Sequence, residues 1–496
     1  MNIINVKVES LLLLSNKKRI TMKSQENHHR AIARLGRYKA VVLMALLPLV
    51  GCTPLASEPA SIEAPAGQFS HTGTAPLVSH WWEAFPDLQL QSLEQTALAA
   101  NPDLLATQAR LAQAEALARK SGASLYPQLQ AGVSNTSTEG DNSYSGSLAA
   151  SYELDLWGGL QAASESARQS WLASREALDA AAITLTAEVA DTWYELIEQS
   201  GQIKLLNEQQ QTNRQMLELI ELRFDRGMVQ ATDVLQQRQL IESSDALLAN
   251  ARAEQAALEH QLSALLGQSP TAPGIYFAEG DLIDLPSLPD TGLPAELVQH
   301  RPDVRQAFHE LKAAEADIAI AVADRFPSLT LSASLTSTAG GLSGLFSDWV
   351  SVIAGELLGP VFDGGQRVAE VDRTNAAARA ALHDYSSTVI SALTEVEDAL
   401  VREQQQRLRL QSLDRQLALT AEVVERTRYN YTKGVADYLD VLDALRTHQA
   451  LQRDQLTARR TLLTYRIALH RALAGGWLAD SLETTAVPSM IEIASL

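Results

Sequence analysis

The sequence predicts a mainly α-helical protein with a small β part, built from one unit that is repeated along the chain. Three observations predict this. The 496 residues are rich in Ala, Leu, Gln and Glu and modest in Gly and Pro, which is typical of long helices. Anchor motifs recur in the same order at spacings of 200 to 208 residues, which indicates an internal duplication. Short segments in each copy alternate apolar and polar residues, as strands do.

Each copy opens with a helix that begins and ends at a proline. The first begins at Pro102 and the second at Pro302, and in both the terminating proline stands 25 residues further on. Two strand-like segments follow in each copy, although the fourth, near 349–362, alternates less regularly. The Gly- and Ser-rich stretches 138–146 and 338–347 are predicted to be hairpin loops between the strands.

A long helical hairpin completes each copy. The stretches 160–226 and 366–433 contain no proline, and at 1.5 Å per residue each gives a rod of about 100 Å. Return helices are predicted over 232–266 and 438–473. We therefore divide the chain into a signal peptide (1–51), an N-terminal segment (52–100), a first repeat (101–267), a proline-rich linker (268–300), a second repeat (301–475) and a C-terminal tail (476–496).

The N-terminal stretch resembles the signal of a bacterial lipoprotein. Basic residues precede an apolar run, 40–50, that is too short to span a bilayer and ends beside small Gly51. Cys52 is the only cysteine, and the resemblance implies that it carries diacylglycerol and an N-acyl chain and that the protein is sorted to the outer membrane. A buried free cysteine is the alternative. The leader is long, so we expect translation to start at Met22.

The four predicted strands imply that several chains assemble. They are about ten residues long and nearly free of charge, which suits a membrane-spanning barrel, although a small soluble sheet covered by helices is the alternative. A membrane tolerates no open sheet edge, because unpaired backbone groups cost several kcal/mol there. Four strands are too few to close a barrel comfortably, so more than one chain must contribute.

Motifs across the mature chain resemble the TolC-like outer-membrane efflux proteins, within their lipidated NodT/OprM branch. The motifs are Trp-Trp-Glu-Ala-Phe from Trp81, Asn-Pro-Asp-Leu from Asn101, Tyr-Glu-Leu-Asp-Leu-Trp-Gly from Tyr152 and Pro-Val-Phe-Asp-Gly-Gly from Pro360. The resemblance implies a homotrimer with a twelve-stranded transmembrane β-barrel in the outer membrane and a helical barrel in the periplasm. It also implies two partners, a periplasmic adaptor and an inner-membrane pump of the resistance-nodulation-division class.

The candidate functional residues lie at the tips of the two hairpins. Asp437, Asp440 and Asp443 recur every third residue beyond the second tip, and Asp437 is expected to cap a helix. By resemblance, Asp440 and Asp443 match the acids around the periplasmic entrance, and Tyr431 and Asp233 match other gate residues. The adaptor-docking residues implied in the same way are Gly227, Met228, Gly434 and Val435.

One departure from the family pattern concerns the gate. Family members often carry an arginine two residues after the second tip glycine, where this chain has Ala436. We expect Lys433 or Arg428 to supply the missing cation.

The sequence argues against several other functions. It contains no metalloprotease, serine-hydrolase or phosphate-loop motif, so we expect neither an enzyme nor a metal site, and no cofactor beyond the lipid on Cys52. The net charge of −19 argues against nucleic acid as a partner. Three alternatives to a drug-efflux duct stay open: a duct for a metal pump, a duct for a protein exporter, and a coiled-coil lipoprotein without a pore. The last predicts no alternating strands.

Overall fold

The computed structural model describes residues 67–76, 80–138, 141–270 and 280–474, all within one compact unit, Ile62–Leu496. This part is mainly helical, with one small sheet. In chain order its elements are α1 (Leu88–Ala100), α2 (Pro102–Ala123), β1 (Gln128–Thr138), β2 (Asp141–Leu154), α3 (Gly159–Asp225), α4 (Ala231–Leu265), α5 (Pro294–His300), α6 (Pro302–Ala323), β3 (Ser328–Ala339), β4 (Val350–Leu358), α7 (Gln366–Thr432) and α8 (Tyr438–Ala472).

The structure confirms the duplicated plan. The order helix, two strands, long helix, return helix occurs twice, and the matching helices have equal lengths: 67 residues for α3 and α7, and 35 for α4 and α8. The observed ends of these four helices fall within one residue of the predicted ones. Helix α5 lies inside the predicted linker, where the proline-rich composition did not predict a helix.

Each repeat ties its first helix to the end of its last helix. In the first repeat, Asn101 caps α2 through its side-chain oxygen and donates from Nδ2 to the carbonyl of Leu265, at 2.9 Å. In the second, the buried Arg301 guanidinium donates to the carbonyl of Ala472, at 3.0 Å. Both side chains satisfy carbonyls that a helix C-terminus leaves without partners.

The strands form one antiparallel sheet in the order β1-β2-β3-β4, so β2 and β3 join the two copies. The hairpin loop predicted over 138–146 is wrong for most of its length, because pairing of β1 with β2 continues to Thr138 opposite Asp141. Composition misled the prediction here: Tyr144 also pairs with Ala339 of β3, and these ladder hydrogen bonds outweigh the turn preference of Ser and Gly.

The sheet has one apolar face and one polar face. Because paired residues share a face, the register places Leu148 beside Leu335, and their neighbours Ala150, Ala333 and Ile353 on the same side. The opposite side carries mainly Ser and Thr. Strands β1 and β4 are the two edges of the sheet.

The sheet joins the long helices through two similar turns. Asp155 accepts hydrogen bonds from the backbone nitrogens of Leu160 and Gln161 at the start of α3, and Asp363 accepts from Gly365 and Arg367 at the start of α7. This explains why both the Tyr152 motif and the Pro360 motif contain an aspartate, since a carboxylate satisfies the free N–H groups of a helix start.

A separate core holds the N-terminal segment against α3. Trp81 is buried and donates from its indole nitrogen to the Thr186 hydroxyl, at 3.1 Å. Glu94 of α1 is fully buried in the same region, and neither carboxylate oxygen has a hydrogen-bond partner among the described residues. Burial raises the pKa of Glu94 well above its ordinary value, so the protonated form is favoured.

Candidate functional site at the helical tips

Both hairpins turn through the same backbone motif. Two residues after the end of α3 and of α7 stands a glycine with positive φ, 70° at Gly227 and 76° at Gly434. The nitrogens of Gly227 and Met228 donate to carbonyls of the last turn of α3, and those of Gly434 and Val435 do the same for α7. This pattern is a Schellman motif, in which glycine takes the left-handed conformation at no steric cost. Both glycines thus allow the chain to turn tightly between two helices.

A shared apolar cluster joins the two tips within one chain. It contains residues from α3, α4, α7 and α8, including Ile220, Val234, Val424 and Val441. The first tip therefore packs directly against the second.

Tyr431 lies in this cluster and is held by a cation of the other hairpin. Its side chain is 3% exposed, and its hydroxyl is buried without a hydrogen-bond partner among the described residues. The guanidinium carbon of Arg223, in the last turn of α3, lies 4.3 Å from the centre of the Tyr431 ring, and Nη1 donates to the Tyr431 carbonyl at 2.9 Å. Arg223 thus binds both the aromatic face and the negative C-terminal end of α7.

The sequence did not predict the contact between Arg223 and Tyr431. It was expected that Lys433 or Arg428 would replace the arginine missing at Ala436, but Lys433 lies over the ring of Tyr429, and Arg428 is exposed. The cation that contacts Tyr431, Arg223, comes from the first copy of the repeat. Only the tertiary contact identifies it, although Arg223 stands four residues before the tip glycine.

A chain of buried polar contacts continues from Tyr431 into the helices. The Tyr431 and Tyr438 rings meet edge to face at 6.0 Å, and the Tyr438 hydroxyl donates to the side-chain oxygen of Gln237. Gln237 donates to the Asn213 carbonyl at 2.6 Å, and Gln449 donates to the Asn213 side-chain oxygen at 2.9 Å. The two hairpins are therefore joined by polar side chains as well as by apolar packing.

The acidic residues of the second tip face solvent. Asp440 and Asp443 are exposed on the first turns of α8. Asp437 occupies the N-cap position of that helix as expected, although its side chain makes no capping hydrogen bond.

Asp233, at the first tip, accepts a hydrogen bond from the Gln230 backbone nitrogen, at 3.2 Å. Burial raises the pKa of Tyr431; the charge of Arg223 opposes this rise, and that of Asp233 adds to it.

The outermost residues of both tips are apolar and accessible. Met228 is 54% exposed and Val435 is 78% exposed. Side chains placed at Gly227 or Gly434 would meet open space, so both turns present their surface outward. The arrangement leaves two equivalent apolar points at one end of the molecule.

The described residues support neither a metal site nor a helical membrane span. Among them, no group of three or more His, Cys, Asp or Glu side chains could hold a metal ion. None of the helices described above is both long and apolar enough to cross a membrane.

Comparison with known proteins identifies the family. The family model described as outer membrane efflux protein matches two stretches, 93–268 and 293–475, one in each repeat. The chain belongs to the outer membrane efflux protein family. The resemblance seen in the sequence is thereby confirmed, and with it an outer-membrane location and a function in efflux.

Related proteins align with this efflux protein over most of its length. The pyoverdine export outer membrane protein OpmQ of Pseudomonas aeruginosa is 33% identical over 429 residues, which cover 81% of this chain and 88% of OpmQ. The probable outer membrane lipoprotein SilC of Salmonella typhimurium is 30% identical over 461 residues, covering 89% of this chain and 99% of SilC. The solved structure of the outer-membrane channel OprN superposes with a TM-score of 0.79 at 28% identity, over 86% of this chain and 99% of OprN.

These findings exclude one of the three alternatives to a drug-efflux duct. The coiled-coil spacer without strands is wrong, since the efflux protein contains four paired strands. The predicted lipid site Cys52, the start at Met22 and the tail 476–496 lie outside the described residues.

Proposed function

We propose that three copies of the chain form the exit duct of a tripartite efflux pump, through which drugs or other small molecules pass passively from the periplasm to the exterior. One observation carries this proposal: a sheet with one apolar and one Ser- and Thr-rich face is attached to two hairpins whose long helices have 67 residues each. Such a sheet suits lipid on one side and a water-filled lumen on the other. Rods of about 100 Å suit a tunnel through the periplasm.

The edges of the sheet support assembly of several chains, and the family resemblance supports three. Strands β1 and β4 have neighbours on one side only, and a membrane does not tolerate open edges. Pairing β4 of one protomer with β1 of the next closes a barrel, and three protomers give twelve strands. Mass measurement of the detergent-solubilised protein tests this, because a monomer or dimer that still conducts would contradict it.

The tips form the periplasmic gate in this proposal. A threefold axis brings Asp440 and Asp443 of each protomer around one opening, where the carboxylates attract cations and repel one another. Tyr431, held by Arg223, fixes the second hairpin against the first. Asp233 contributes its charge beside Tyr431.

The apolar points of the tips are the proposed docking surface for the periplasmic adaptor, which would connect the duct to an inner-membrane resistance-nodulation-division pump. Gly227 and Met228 form one point, and Gly434 and Val435 form the other. Exposed apolar side chains of this kind commonly mark protein interaction sites.

We also propose that the mature protein is anchored to outer-membrane lipid through acylated Cys52. The signal-like leader, which ends at this cysteine, supports the proposal. Intact mass of the purified protein tests it: the mature chain should begin at Cys52 and carry diacylglycerol and one N-acyl chain. An unmodified thiol would contradict it.

The central test is conduction. Purified protein in planar bilayers should give small, rarely open channels with cation preference, and a deletion strain that expresses the chain with its pump should regain resistance. A trimer that inserts but never conducts, even after the gate substitutions given in the Discussion, would exclude the exit-duct function.

A further inference from the structure

The segment between β3 and β4 folds back onto the sheet. It contains a short 3-10 turn, Leu342–Gly344, followed by Leu345, which is 4% exposed. The Leu345 side chain packs on Gly146, where an added Cβ would lie 3.8 Å from the leucine Cγ. A Cβ added to Gly344 would lie 3.0 Å from the Ala339 Cβ. The loop is therefore packed against the sheet.

The face that it covers is the apolar one. Gly146 is paired with Ser337, two residues along from the pair Leu148 and Leu335, and side chains two residues apart point to the same side. Gly146 and Ser337 are both buried, as expected if the loop lies over them. The loop thus continues the surface that we assign to lipid and lies away from the Ser- and Thr-rich side.

The exposed side of the loop is unusually apolar. Phe346 is 71% exposed and Trp349 is 46% exposed, with their ring centroids 6.3 Å apart. Leu342 beside them is also exposed, and Asp348 is the only charged residue in 340–349. Exposed rings on a loop that already covers an apolar face are costly in water, but they match the boundary between headgroups and acyl chains.

Along the barrel axis, the loop also lies at the level where the boundary between headgroups and acyl chains is expected. Strand β3 has 12 residues, which at about 3.3 Å each extend about 40 Å, and a tilt of about 40° reduces this to about 30 Å of height. The apolar band of outer-membrane barrels is about 25 Å tall. The end of β3 therefore reaches the far edge of the band, while exposed Tyr126 and Phe362 lie near the opposite end of the sheet.

We propose that the loop 342–349 is a membrane-interface anchor that lays Phe346 and Trp349 into the headgroup boundary of the outer leaflet, on the outside of the barrel. It does not cover the pore. The proposal rests on the proposed placement of the sheet in the membrane and adds which surface of the loop binds lipid.

Tryptophan quenching by brominated phosphatidylcholine vesicles tests this on the full chain. We expect Trp349→Phe to remove a quenchable part of the emission, about one tryptophan's share of the seven in the chain. The removed part should be quenched more by bromines near the headgroup than by bromines near the chain ends. Equal quenching of wild type and Trp349→Phe would overturn the anchor, and so would stronger quenching by deep bromines.

Two further variants separate the anchor from the membrane placement. Ile353→Trp, at the middle of the apolar face, should be quenched best by deep bromines, and Thr338→Trp, on the polar face, should not be quenched. If Ile353→Trp is not quenched, the placement of the sheet itself is wrong. If Ile353→Trp is quenched but Trp349 is not, the sheet is in the membrane and only the anchor fails.

Discussion

Arg223→Met should loosen the periplasmic gate. The substitution keeps the apolar stem but removes the cation from the Tyr431 ring and the donor from the Tyr431 carbonyl. A cation–π contact contributes about 0.5–2 kcal/mol, and a hydrogen bond from a charged donor about 1.5–3 kcal/mol. Arg223 is half-buried, so we take about 2 kcal/mol for both together, which is a factor of about 30 in the closed-to-open equilibrium for each protomer.

Single-channel recording in planar bilayers measures this directly. We expect Arg223→Met to open far more often than wild type, or to a higher conductance. Arg226→Met is the matched control. Arg226 is an exposed cation three residues further along the same tip, so this substitution removes the same charge without touching the contact with Tyr431. If the two variants conduct alike, then general charge rather than the contact with Tyr431 determines opening, and the argument fails. Equal thermal stability of both trimers shows that neither result reflects misfolding.

Three other predictions concern the acids, the N-terminal core and the tip. Asp440→Asn with Asp443→Asn should raise channel opening and abolish block by divalent cations; unchanged block would exclude these acids from the entrance. Glu94 has a raised folded-state pKa, so its stabilising effect is complete below the ordinary value of 4.5 and is lost as pH rises through the folded pKa. The melting temperature of the wild-type trimer should therefore fall as pH rises above 4.5 and through the folded-state pKa of Glu94, and the fall should be smaller in Glu94→Gln. Val435→Arg should abolish drug resistance at normal trimer abundance, whereas Asn430→Arg, one turn above, should not.

Much of the fold could be predicted because its main features are local. Proline positions and the long stretches without proline set the helix ends, since proline removes a backbone donor and disfavours helix in the residue before it. The tip glycines were recognised because few other residues adopt positive φ. The first hairpin loop was predicted wrongly, because residues 141–146 have turn-like composition but pair with β1, and from Tyr144 onward also with β3, a partner distant in sequence.

The candidate site likewise contains residues that the sequence predicted and one that it did not. The sequence placed Asp440 and Asp443 just beyond the second tip, where the structure has them, and the family resemblance singled out Tyr431. Arg223 could not be predicted, because its contact with Tyr431 joins residues 208 positions apart and has no counterpart at the equivalent position of the second copy, Asn430.

The sequence by itself determined the duplication, the lengths of the rods and the identity of the tip residues, because periodicity, proline and glycine act through the nearest few residues. Only the tertiary structure decided which cation contacts Tyr431, which face of the sheet the outer loop covers, and that Glu94 is buried without a hydrogen-bond partner among the described residues. Those outcomes depend on the way in which two distant copies of one unit pack together. Because such packing brings distant residues together, no local sequence pattern predicts where the charged and aromatic side chains lie.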